Sequence, residues 1–141
     1  MRYRLGVLAW IVSVMAVAIA APQPPVKAGK QDLSGIWQLA GQEGDDAYYG
    51  AVLIEQQEDG SCKVATCTLD SMTRGIGIRK GNTLSVGWAL QGKDRIIVGV
   101  TVYTISADGK ALDGEWRTQG TAKMPRTEKA RWVSPVKQTE L

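Results

Sequence analysis

An all-β fold, an eight-stranded antiparallel up-and-down barrel, is what this chain of 141 residues predicts. Three observations carry that reading. Short apolar runs recur about every ten residues between Gly, Asn and Asp turn signals. No apolar stripe of helical period occurs beyond residue 20. Leu33-Ser34-Gly35-Ile36-Trp37 is echoed by Leu112-Asp113-Gly114-Glu115-Trp116, so a first and a late strand are built alike. Sequential hairpins make a meander, and closing it removes the edges an open sheet would expose. A two-sheet sandwich is the alternative.

Residues 1–20 have the layout of a signal peptide. Arg2 and Arg4 precede an apolar run from Leu5 to Ile19, and Ala18-Ile19-Ala20 is a small-residue cleavage site. The run is short of the roughly 20 apolar residues of a spanning helix. Cleavage is therefore expected, with periplasmic or secreted localisation and no stable membrane insertion afterwards. A flexible leader follows at 21–31, then the barrel domain at 32–134 and a flexible tail at 135–141.

Within the domain the first strand is expected at about 35–40, closed by the loop Gly41-Gln42-Glu43-Gly44-Asp45-Asp46. The second spans 48–56 and turns at Glu58-Asp59-Gly60. Strands at 63–69 and 73–79 are divided by Asp70-Ser71. Lys80-Gly81-Asn82 is a tight hairpin signal, since Gly and Asn accept positive φ, and leads into 83–90. The longest β-branched run, 95–106, ends at Asp108-Gly109. Strands at 111–118 and 127–133 complete the set. Where both faces of a strand are apolar, as in Ile96-Ile97-Val98-Gly99-Val100, its inward face is not readable. Gly50, Gly75, Gly77, Gly87, Gly99 and Gly114 lie inside strands, where they allow coiling and close approach to a large neighbour. The large neighbours available are Trp37, Trp88, Trp116 and Trp132, because the chain has no phenylalanine.

Gly35-Ile36-Trp37 on the first strand of such a meander resembles the opening of the calycin barrels, the lipocalins and avidins. That resemblance implies that Trp37 packs across a closed end against a basic side chain of the last strand, Arg131 first and Arg126 second. A guanidinium on an indole contributes about 0.5–2 kcal/mol. A longer series runs through Asp32-Leu33-Ser34-Gly35-Ile36-Trp37, Tyr49-Gly50-Ala51-Val52-Leu53-Ile54, Gly75-Ile76-Gly77-Ile78 and Gly81-Asn82-Thr83-Leu84-Ser85-Val86-Gly87-Trp88. It continues through Val102-Tyr103-Thr104-Ile105 and Leu112-Asp113-Gly114-Glu115-Trp116. The series is similar to a group of small, mostly uncharacterised exported bacterial proteins, some labelled fibronectin-binding protein, and that label implies adhesion. The chain departs from the group at its last strand, where Met124-Pro125-Arg126-Thr127-Glu128-Lys129-Ala130-Arg131-Trp132 replaces a Gly-rich approach to Glu-x-Leu or Glu-x-Trp.

Cys62 and Cys67, the only two cysteines, are expected to form a disulfide in an oxidising compartment. Residues five apart on one strand point to opposite faces, so the bridge requires a turn within Lys63-Val64-Ala65-Thr66. Two free, half-buried thiols are the other reading. With no histidine, the usual tetrahedral metal set is incomplete, and neither a metal nor a cofactor is expected.

The absence of histidine also removes Ser-His-Asp and Cys-His nucleophile arrangements. A glycosidase needs only two carboxylates about 5–10 Å apart. Most acids here sit in turns, which leaves Glu55 and Glu115 as the inward candidates. Gly75-Ile76-Gly77 precedes no helix and is no phosphate loop. Arg2 and Arg4 fall within the signal peptide, so the exported part is near neutrality. Lys123, Arg126, Lys129 and Arg131 make a basic segment broken by Glu128, which reads as a solvated edge rather than a nucleic-acid surface.

What remains is binding without catalysis. An eight-stranded barrel is wide enough to be filled by side chains or to hold one small ligand. Trp88 and Tyr103 are the candidates to line a cavity for an apolar small molecule, with Trp37, Trp116 and Arg131 structural. Alternatively the interior is full and Tyr49, beside loop 41–47, serves an extracellular or periplasmic protein partner, as in an adhesin or a hydrolase inhibitor. A glycosidase-like enzyme is the remote alternative.

Overall fold

Alternating side chains and tight turns close eight strands into one barrel in the computed structural model, which describes residues 31–120 and 126–136. The expected signal peptide, most of the leader, Lys123 and all but two residues of the tail lie outside the described residues. The strands are β1 (Gly35–Glu43), β2 (Asp46–Gln56), β3 (Ser61–Thr68), β4 (Met72–Lys80), β5 (Thr83–Gln91), β6 (Ile96–Ile105), β7 (Ala111–Thr118) and β8 (Arg126–Ser134). Each pairs antiparallel with its successor, and β8 pairs with β1 to close the cylinder. The arrangement is an up-and-down meander without a free edge.

The strand ends differ from the expected ones where turn chemistry is tighter than the composition suggests. Glu43 pairs with Asp46, so Gly44-Asp45 is a two-residue hairpin turn and not the end of a long loop. Gly44 supplies a φ of 62° there, and Gly81 one of 63° in the Lys80–Thr83 turn. Asn82 keeps a negative φ, as the second residue of a type II′ turn does.

Parity decides what faces inward. Leu33, Trp37, Leu39, Val52, Ile54, Cys62, Val64, Leu84, Val86, Tyr103, Ile105, Leu112 and Ala130 form the core. Most of them fill the half of the barrel where β1 begins. Leu33 closes that end, with its N–H donated to Gln56 Oε1 at 3.1 Å. Trp37, fully buried, donates Nε1–H to the Leu33 carbonyl at 3.0 Å. A register shift between Ile36 and Trp37 sets Trp37 opposite Trp132 on β8. The ambiguous run on β6 resolves with Ile97, Gly99, Thr101 and Tyr103 inward.

Two expectations are corrected by the same parity. Arg131 does not stack on Trp37, because it is exposed on the outer face opposite Gln38 while Trp37 points in. Cys62 and Cys67 do not form a disulfide; both thiols are free. β3 runs straight through both, so about 16 Å of extended chain separates them and their side chains leave opposite faces. Burial pushes the Cys62 thiol up from its ordinary range.

Candidate functional site

At the other end, where the 43–46, 68–72 and 91–96 connections lie and β7 ends, the interior is not filled. A cavity of about 630 Å³ opens there. Its lining includes Tyr48, Val64, Thr66, Val86, Trp88, Thr101, Tyr103, Trp116, Arg126 and Glu128. That volume is in the range of small-molecule sites, which run about 300–1,000 Å³.

The floor of the cavity is one inward row across five strands. Tyr48 on β2 pairs with Gly41 on β1, Gly41 with Glu128 on β8, Glu128 with Gly114 on β7, and Gly114 with Tyr103 on β6. A Cβ on Gly41 would overlap the Tyr48 ring, and one on Gly114 would come within 2.6 Å of the Tyr103 ring. The two glycines are the gaps over which both rings lie flat towards Glu128. Tyr48 Oη donates to Glu128 Oε2 at 2.8 Å, and Tyr103 Oη donates to Oε1.

Above this floor stand the indoles. Trp116 donates Nε1–H to Tyr48 Oη at 2.8 Å, and Trp88 donates to Thr101 Oγ1 at 2.9 Å. Trp88 and Trp116 meet edge to face at 5.9 Å between centroids. Trp88 has room because its partner on β6 is Gly99, where a Cβ would strike the indole. Towards the rim, the Arg126 guanidinium lies 4.5 Å from the Trp116 ring centroid, pairs with Glu43 and donates to Thr118 Oγ1 at 3.0 Å.

The electrostatics follow from burial. Glu128 is 7% exposed. Desolvation raises its pKa above 4.5, and the two tyrosine hydrogen bonds only partly offset that. Burial beside this carboxyl also raises both Tyr48 and Tyr103 above their ordinary range. Among the described residues no cation lies within ion-pairing distance of Glu128, and none of their Cys, Asp and Glu side chains cluster to hold a metal ion.

Of the residues singled out from sequence, Trp88, Tyr103 and Trp116 come together on this cavity. Tyr49 is 69% exposed on the outer face, and Trp37 and Trp132 occupy the closed half. Arg126, the second candidate for an indole stack, makes one with Trp116 rather than with Trp37. Glu55 and Glu115 both point outward, where Lys63 and Arg117 pair with them. The buried inward acid is Glu128, hidden in a segment that reads as a basic edge. Its signal was the period-two alternation Arg126, Glu128, Ala130, Trp132. Tyr48, which with Tyr49 reads as an outer aromatic suited to a protein partner, faces inward, one position from the exposed Tyr49.

Comparison with known proteins supplies no family: no protein-family model matches the chain, and no curated protein matches it significantly.

Proposed function

We propose that this protein is an exported, non-enzymatic carrier or sensor barrel that takes a small molecule with an apolar body into the open half of its interior. The observation that carries the reading is the unfilled cavity, with Trp88, Trp116 and Tyr103 on its wall, beside an opposite half occupied by the buried core. Aromatic surface facing an open volume offers large apolar contact at little conformational expense. The export layout of residues 1–20 supports a role outside the cytoplasm. Glu43 is paired with Arg126 and both Glu128 oxygens accept from tyrosines, which supports binding over glycoside chemistry.

The test is tryptophan fluorescence titrated with small apolar molecules in the full protein and in Thr66→Trp. Thr66 faces the cavity from β3, and an indole there occupies the ligand's volume. Saturable quenching in the parent that disappears in Thr66→Trp is expected. Equal response in both proteins would refute an interior site.

A second reading, recognition of a protein partner, draws on the outer face of β4 to β6. Ile76, Ile78, Val98, Val100 and Val102 are all exposed there. An apolar patch of that kind marks interaction surfaces in soluble proteins. Loss of partner capture in Ile76→Lys, with small-molecule binding retained, would favour it.

A further inference from the structure

We infer that the ligand of this cavity is a cationic amine with an apolar or aromatic body, its ammonium group received by Glu128. The inference rests on the interior-binding reading above and names the chemistry of that site. Its first support is an imbalance of charge. Glu128 is almost wholly buried, yet among the described residues no lysine or arginine pairs with it. Buried carboxylates are ordinarily compensated by a cation, and removing one partner of such a pair is strongly destabilising. Among the described residues the hydrogen bonds to it come from two phenol hydroxyls, one on each oxygen. Each carboxylate oxygen can accept a second hydrogen bond, so the group retains capacity on its cavity side.

The second support is that Arg126, a cation of the wall, is already engaged. Arg126 is held between the Trp116 ring, Glu43 and Thr118, which leaves Glu128 to an incoming charge. Among the described residues the lining carries Glu43, Asp70 and Glu128 against Arg95 and Arg126, a formal balance that also favours a cation. The third support is the aromatic surround. Tyr48 and Tyr103 bond the carboxyl while Trp88 and Trp116 line the same cavity, and indole and phenol faces attract ammonium groups as well as apolar bodies. A carboxylate ligand would bring a second anion against Glu128, and a neutral one would leave that group uncompensated.

Three probes of one shape separate these cases: 2-phenylethylammonium, 2-phenylethanol and phenylacetate, titrated against the intact protein by quenching of tryptophan excited at its red edge. The ammonium is expected to bind at least tenfold more tightly than either of the others. In Glu128→Gln that advantage is expected to collapse to within about twofold. Should the variant not fold, the ranking of the three probes on the unaltered protein decides alone. Equal or tighter binding of the alcohol or of phenylacetate overturns the amine inference while leaving the interior site intact. No response to any of the three also overturns it, and the Thr66→Trp comparison then shows whether the interior site itself is at fault.

Discussion

Trp116 joins the rim of the cavity to its floor, and replacing it should separate those contributions. Trp116→Leu removes a hydrogen bond to Tyr48 of 2.8 Å, worth about 1 kcal/mol. It removes the Arg126 stack at 4.5 Å, worth roughly 1 kcal/mol in a partly desolvated setting. It also removes edge-to-face contacts with Trp88 at 5.9 Å and Tyr48 at 6.4 Å, about 0.5–1.5 kcal/mol each. The expected loss is about 3–5 kcal/mol, within the range for removing large aromatic side chains. Trp116→Phe keeps a ring for the stack and the edges and loses only the donor, so about 1 kcal/mol is expected. Urea unfolding followed by far-UV circular dichroism reads both, and with a slope of about 1.5–2 kcal/mol/M the first variant shifts the midpoint by roughly 2 M. A loss below about 1 kcal/mol in Trp116→Leu would refute the network as described. So would equal losses in the two variants, since the ring contacts would then contribute nothing.

Three further outcomes follow from the same geometry. The Glu128 carboxyl holds its proton more tightly in the fold than in the unfolded chain, so the stability it contributes is full below pH 4.5 and is lost as pH climbs through its raised value; the stability of the parent relative to Glu128→Gln should fall with rising pH across that window, and a flat or rising difference in melting temperatures would contradict this. Cys67, half-exposed on the outer face, should react with a thiol reagent in the native protein while the buried Cys62 reacts only on unfolding, with the total mass unchanged by reductant; a mass gain of two units on reduction would show a bridge. Gly99→Ala places a Cβ against the Trp88 ring and 2.5 Å from the Arg117 carbonyl, and should lower stability by about 1–3 kcal/mol in urea titration, against an expectation of no loss if the strand merely tolerates glycine.

The architecture was legible because every strand is bounded by turn residues and none carries a helical stripe. Ala111–Thr118 appears with the boundaries read from its turns. β1 was read too short because Gly41-Gln42-Glu43 looks like loop composition. Gly41 and Glu43 face a half-empty barrel, where Gly41 admits a tyrosine ring and Glu43 meets Arg126, and Gln42 between them faces outward. A core-forming strand would have been apolar to its end. The disulfide expectation weighed compartment above parity, and parity won: an unbroken strand cannot turn both thiols to one face. Arg131 failed on the same ground, being next to the inward Trp132. Glu128 was concealed because formal charge along the chain reads as solvated edge, whereas alternate residues of β8 belong to different environments. What composition could not show is the row from Tyr48 to Tyr103, since it exists only once five strands are in register.

The central claim is that the open half of the barrel holds a small molecule, and native mass spectrometry of the protein purified from its natural host tests it most directly. The account predicts a complex heavier than the polypeptide by one small molecule, released on denaturation, with fluorescence from Trp88 and Trp116 changing on its removal and restored on its return. A bare polypeptide mass, with fluorescence indifferent to every added small molecule, would contradict it.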